Sequence, residues 1–97
     1  MRHELVFDEG AIDDLAGLRA FDRATILQAV ETHLRHEPTR TSKSRVKRLR
    51  DSDSPQYRLR VDDFRIFYDV VQADVEIIAV IRKSEAAAWL AARGGST

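Results

Sequence analysis

The 97-residue chain predicts an α+β domain with the order strand, helix, helix, three strands, helix. Three observations carry that prediction. The stretch from Tyr57 to Tyr68 holds two runs of strict apolar/polar alternation joined by Asp62-Asp63, the pattern of a hairpin of half-buried strands. Residues 8 to 36 carry apolar side chains at helical spacing, broken near Arg19 to Phe21. The run from Val75 to Ile81 is nearly all apolar and β-branched, which suits a central strand covered on both faces.

In chain order, Glu4 to Phe7 is a short strand candidate, and Asp8 is placed to cap a helix bearing Ala11, Ile12, Leu15 and Leu18. Gly17 weakens the end of that helix. A second helix is expected from near Asp22 to about His36, with Ile26, Leu27, Val30 and Leu34 as its apolar stripe and Pro38 closing it. The short join implies antiparallel packing of the two, with Asp13, Asp14 and Glu31 outside. Pro38 to Pro55, rich in Ser, Thr, Asp and Arg, reads as a long loop with a brief strand near Val46 to Leu49. Ser84 is expected to cap a last helix through Ala92, with Trp89 as a packing anchor and Gly94-Gly95 as the stop, followed by a loose tail.

Alternation sends Tyr57, Leu59 and Val61 to one side of the first hairpin strand and Arg58 and Arg60 to the other. A two-residue turn at Asp62-Asp63 then sets Arg60 opposite Arg65 and Arg58 opposite Phe67. Like charges facing each other across a ladder repel by about a few tenths of a kcal/mol, so an anion or the nearby Asp62, Asp63 or Asp69 must answer them. If the next loop is even in length, Arg82 shares the parity of Arg65 and joins the same face.

A length of 97 residues suits a single domain over 1–97, and a hydrophobic content of 43% suffices for one modest core. The absence of cysteine excludes disulfides and thiol chemistry, and three scattered histidines (His3, His33, His36) argue against a structural metal site. His33 and His36 read as a solvated helix end. No run approaches the roughly 18 apolar residues of a membrane span and the N-terminus lacks a signal-peptide core, so a cytoplasmic location without membrane contact is expected. Net charge is zero but unevenly spread: residues 1–34 hold 3 basic and 7 acidic groups, 35–65 hold 10 and 5, and 66–97 hold 3 and 4. Within the basic middle, Arg40, Lys43, Arg45, Lys47, Arg48 and Arg50 run without an acid between them. Clustered charge of this kind draws a polyanion or an acidic partner segment even when the total is neutral.

The hairpin Tyr57-Arg58-Leu59-Arg60-Val61-Asp62-Asp63-Phe64-Arg65-Ile66-Phe67-Tyr68 follows a helix pair and Lys47-Arg48-Leu49, and precedes an apolar strand ending in Arg82-Lys83. In this it resembles the RelE/ParE superfamily of bacterial toxins. Asp62 stands where that family usually has Gly, a tolerable change because Asp visits positive φ at lower cost than most residues. The resemblance implies a helical hairpin packed on a small curved, mainly antiparallel sheet, and a toxin of a type II toxin-antitoxin module with a cognate antitoxin protein as partner.

RelE-like members cut mRNA in the ribosome as metal-independent endoribonucleases; ParE-like members inhibit DNA gyrase. On the nuclease reading, Arg65 and Arg82 would be catalytic, stabilising the phosphate in its transition state. Arg58, Arg60, Lys47 and Arg48 would bind substrate, and no cofactor or metal would be needed. The stretch Lys83 to Trp89 has neither Tyr nor His where the family's nucleases carry one. The expectations, in order, are an mRNA interferase with ribosome and mRNA as partners, a gyrase inhibitor, and a catalytically weak antitoxin-binding module.

Overall fold

The structure, a computed structural model, describes residues 2–94. Its elements are β1 (Glu4–Phe7), α1 (Glu9–Ala16), α2 (Ala20–Leu34), β2 (Val46–Arg48), β3 (Tyr57–Val61), β4 (Phe64–Val71), β5 (Asp74–Arg82) and α3 (Lys83–Ala92). One five-stranded sheet has the order β1-β5-β4-β3-β2, with β1 parallel to β5 and every other pair antiparallel. The brief strand expected near Val46 is β2, at the sheet edge. The tail expectation beyond Gly94 falls outside the described residues.

The α1–α2 hairpin covers one face of the sheet, called here the inner face. Ala11 and Leu15 of α1 and Ile26, Val30 and Leu34 of α2 join Leu59, Val61, Phe64, Ile66, Tyr68, Val75, Ile77 and Val80 in the main core. The helical stripe is narrower than the spacing suggested: Ile12 is 54% exposed and Leu27 39%. Arg23 of α2 locks the hairpin, its Nε donating to the Leu15 carbonyl at 3.0 Å and its Nη2 to that of Leu18 at 2.8 Å. The Leu15 carbonyl, at the end of α1, also accepts the Leu18 amide at 3.1 Å. Asp14, expected outside, instead accepts a hydrogen bond from the Val80 amide at 2.9 Å. It thereby occupies the edge of β5 past the last paired residue of β1, Phe7, whose partner is Ile77.

Two hairpin turns need a residue at positive φ without glycine. Asp62 adopts φ 49 between β3 and β4, and Gln72 adopts φ 56 between β4 and β5. The first is the position where Asp was expected to serve for Gly. Helix α3 starts earlier than predicted, since Arg82 rather than Ser84 is the N-cap, and no side chain caps it. The Asp63 carbonyl accepts the Lys83 amide at 2.6 Å, tying the start of α3 to the tip of the first hairpin. From there α3 lies against the opposite, outer face, where Leu90 meets Phe67 and Leu49, and Trp89 stacks on Phe67 with ring centroids 4.6 Å apart. Trp89 is thus the anchor its apolar neighbours implied. No helix among the described residues is long and apolar enough to cross a membrane.

Candidate functional site

The β3–β4 ladder has the register that the turn dictates, with Arg60 opposite Arg65 and Arg58 opposite Phe67. Directly paired residues share a face, so Arg58, Arg60 and Arg65 stand on the outer side beside the Phe67–Leu90 cluster. Lys47 on β2 pairs with Arg58 and extends the basic strip. Arg48 pairs with Tyr57 on the inner side, its guanidinium 5.3 Å from the Tyr57 ring centroid, so Lys47 and Arg48, both expected to bind substrate, lie on opposite faces.

Two expectations about the site are corrected. Arg65, expected to reach a substrate phosphate, is only 7% exposed. Its Nη1 donates to the carbonyls of Asp62 at 3.1 Å and Phe64 at 2.9 Å, so the guanidinium ties the hairpin tip together. The second concerns Arg82. The β4–β5 loop is even, Val71 pairing with Asp74 across Gln72 and Ala73, yet the register shifts between Phe67 and Tyr68. Tyr68 pairs with Ile77 but Phe67 pairs with Ala79, so Ile78 is an extra residue that inverts the parity of everything after it. Arg82 consequently pairs with Phe64 and lies over that ring at 5.0 Å, off the face of Arg65. With Asp63, Lys83 and Ser84 it lines a separate cavity of about 400 Å³.

The electrostatics of the outer strip are those of cations without acids. Among the described residues, no carboxylate makes an ion pair with Arg58, Arg60 or Arg65. Burial, then Arg65 and Arg60, pulls the Arg58 guanidinium down from its usual value, and its Nε is buried with no hydrogen-bond partner. Burial and Arg60 likewise pull Arg65 down, partly offset by Asp63. Of the acids considered as neutralisers, Asp62 contributes its backbone carbonyl and Asp63 only its field. Asp69 turns elsewhere: 8% exposed, it accepts from Ser54 Oγ at 2.6 Å and the Gln56 amide at 2.7 Å, pinning the loop before β3.

Arg60 stays exposed and, with Thr25, Ala29, Ser44, Arg45, Val61 and Asp62, lines a cavity of about 530 Å³ between α2 and the basic loop. Such a strip can bind a carboxylate or phosphate. Proton transfer is another matter, because arginine stays protonated. No His, Tyr or carboxylate side chain is hydrogen-bonded to the three arginines among the described residues. No group of His, Asp and Glu among them has a metal-holding arrangement either.

Sequence reasoning missed one contact. His33, read as a solvated helix end, sits with Nε2 2.7 Å from Arg45 Nη1. Burial and the Arg45 charge pull its pKa below the usual 6.5. The signal was absent from local spacing, because 12 residues separate the two.

No curated protein matches this sequence. Among solved structures, the fold is similar to the toxin-antitoxin complex RelBE2 from Mycobacterium tuberculosis, with TM-score 0.72 and 23% identity over 84% of this chain and 99% of that one. It is also similar to the RelB-RelE antitoxin-toxin complex from Methanococcus jannaschii (TM-score 0.63, 16% identity, 87% and 96% covered). A third is the archaeal RelE-RelB complex from Pyrococcus horikoshii (TM-score 0.61, 17%, 86% and 97%). These likenesses establish a common fold. The family model described as the ParE toxin of type II toxin-antitoxin system, parDE, matches residues 5–87, from β1 into α3. With that span matched, the chain belongs to the ParE toxin family, within the RelE/ParE superfamily of toxin-antitoxin toxins.

Proposed function

We propose that this chain is a toxin that acts by binding a protein target, DNA gyrase, rather than by cutting mRNA, and that a cognate antitoxin holds it in check. The observation that carries this reading is the state of the two arginines expected to be catalytic. Arg65 is buried with its guanidinium on backbone carbonyls, and Arg82 lies on the other side of the sheet over Phe64. A phosphate bound at Arg58 and Arg60 would find Arg65 beside it but committed to backbone carbonyls and Arg82 on the other side of the sheet, and among the described residues no His, Tyr or carboxylate side chain is hydrogen-bonded to the outer arginines. The second of the sequence expectations therefore moves ahead of the first, and the ParE-type family match supports the same preference.

The antitoxin reading rests on family membership and on charge. Arg45, Lys47, Arg58 and Arg60 have no carboxylate ion-pair partner among the described residues. An acidic antitoxin segment laid along β2 and β3 would supply the missing counter-charge.

The test combines a supercoiling assay, in which the purified chain is added to gyrase and relaxed plasmid, with mapping of mRNA 5′ ends after brief induction. Inhibited supercoiling without new cuts is expected. Cuts inside translated codons that vanish in Arg60→Ala, a variant at an exposed position, would overturn the proposal and restore the nuclease reading.

A further inference from the structure

The C-terminal end of α2 and the basic loop before β2 flank an open cavity of about 460 Å³, of whose lining only Arg45 also figures in the antitoxin reading. Thr32 and His33 line it from α2, His36 from just past its end, and Arg40, Thr41 and Arg45 from the loop. Its electrical balance is unusual. Arg40 is paired with Glu37 at 3.0 Å, whereas Arg45 has no carboxylate and donates to the His33 imidazole instead. That contact demands a neutral His33 with its lone pair on Nε2, so the ring proton sits on Nδ1. The carbonyl end of α2 contributes roughly half a negative charge. With Glu37 it offsets most of the charge of the two arginines while His33 stays neutral.

We propose that this cavity is a proton-coupled binding site for a phosphate-class oxyanion, either inorganic phosphate or the phosphate group of a small phosphomonoester. A dianion entering this near-neutral site calls for added positive charge, and His33 is the group placed to supply it. On taking a proton from solvent at Nε2, His33 ceases to accept from Arg45 and becomes a donor itself. The guanidinium fork is then released to chelate the oxyanion, with the Thr41 hydroxyl beside it. The groups facing His33 are His36 and Glu37 at the helix end and Arg40 and Arg45 from the loop; of these, Arg45 is the one that depresses its pKa. Counted per dianion, binding therefore strengthens as pH falls, whereas phosphate's own protonation works the other way. One proton taken up per anion sets a limit of about tenfold in affinity per pH unit.

The experiment is an imidazole NMR titration of the purified chain, whose three histidines give a readily assigned spectrum, with and without inorganic phosphate and then with glucose 6-phosphate. Phosphate should raise the His33 pKa by about one unit, a tenfold preference for the protonated ring, shift His36 of the same cavity less in the same direction, and leave His3 almost unmoved. H33Q should lose the His33-linked part of the pH dependence, keeping only that of phosphate's own second ionisation, and R45Q should lose binding with an unchanged thermal melt. Glucose 6-phosphate binding as tightly would assign a phosphomonoester, and binding of phosphate alone a free anion. An equal shift of all three histidines would mean ionic screening only and would overturn the site, as would undiminished binding in folded R45Q.

Discussion

The two faces of this one sheet are built from the same strands and are stabilised in opposite ways. On the inner face, two helices cover Leu59, Phe64, Ile66, Tyr68 and Ile77, each at most 5% exposed. Even the polar tip of Tyr68 is answered there, its hydroxyl donating to the Pro38 carbonyl at 2.6 Å while burial pushes its pKa far up. On the outer face, one short helix covers a small cluster around Phe67 and Leu90, and the rest of β3 carries cations. The inner face is complete within the chain. The outer face satisfies its charges with backbone carbonyls or, at Arg58 Nε, not at all. The lesson is that the face left electrostatically incomplete is the one available to a partner of opposite charge.

The largest test of that contrast is on the inner face. Phe64→Ala should lower stability by about 3 to 5 kcal/mol in denaturant unfolding, since the ring is buried in the main core. A melt left unchanged would show that the inner face does not carry the fold. Leu90→Ala should cost about 2 to 3 kcal/mol, at the lower end of the range for buried leucines because the outer cluster is small and α3 can settle into the space. If the two losses proved equal, the asymmetry between faces would be only apparent. Arg58→Met should change stability by less than about 1 kcal/mol and in the favourable direction, because it removes a half-buried cation with an unpartnered Nε beside two others. A clear loss would mean that this guanidinium contributes packing or bonding beyond its charge.

The smallest expected effect is a pH dependence. His33 is held below its ordinary 6.5 in the folded state, so the unfolded chain binds the proton more readily. Stability should be flat in this group above that value and should fall as pH drops from there through the folded pKa. His33→Gln should remove this component of the slope, measured as denaturation midpoints from pH 8 to about 5.

Element types were legible in the sequence because they rest on local periodicity. The alternation of Tyr57 to Val61 and the two-residue turn at Asp62-Asp63 fixed a register that the structure reproduces pair for pair. The helical hairpin was equally readable from Ile26, Val30 and Leu34, though side chains at the margin of the stripe, Ile12 and Leu27, stay exposed. The candidate site was less legible. Its face assignment for Arg82 depended on parity carried along β5, and one bulged residue is enough to reverse it.

By itself, then, the sequence determined which segments are strands and helices, which side of β3 is basic, and the family to which the chain belongs. Tertiary structure decided what became of the basic side chains. It buried Arg65 against its own turn, moved Arg82 off the face through Ile78, and joined Arg45 to His33 across the loop. The reason is physical. Periodicity is a property of neighbouring residues, whereas a bulge, a buried guanidinium or a contact between distant residues is set by how separate segments meet, and no local pattern records that meeting.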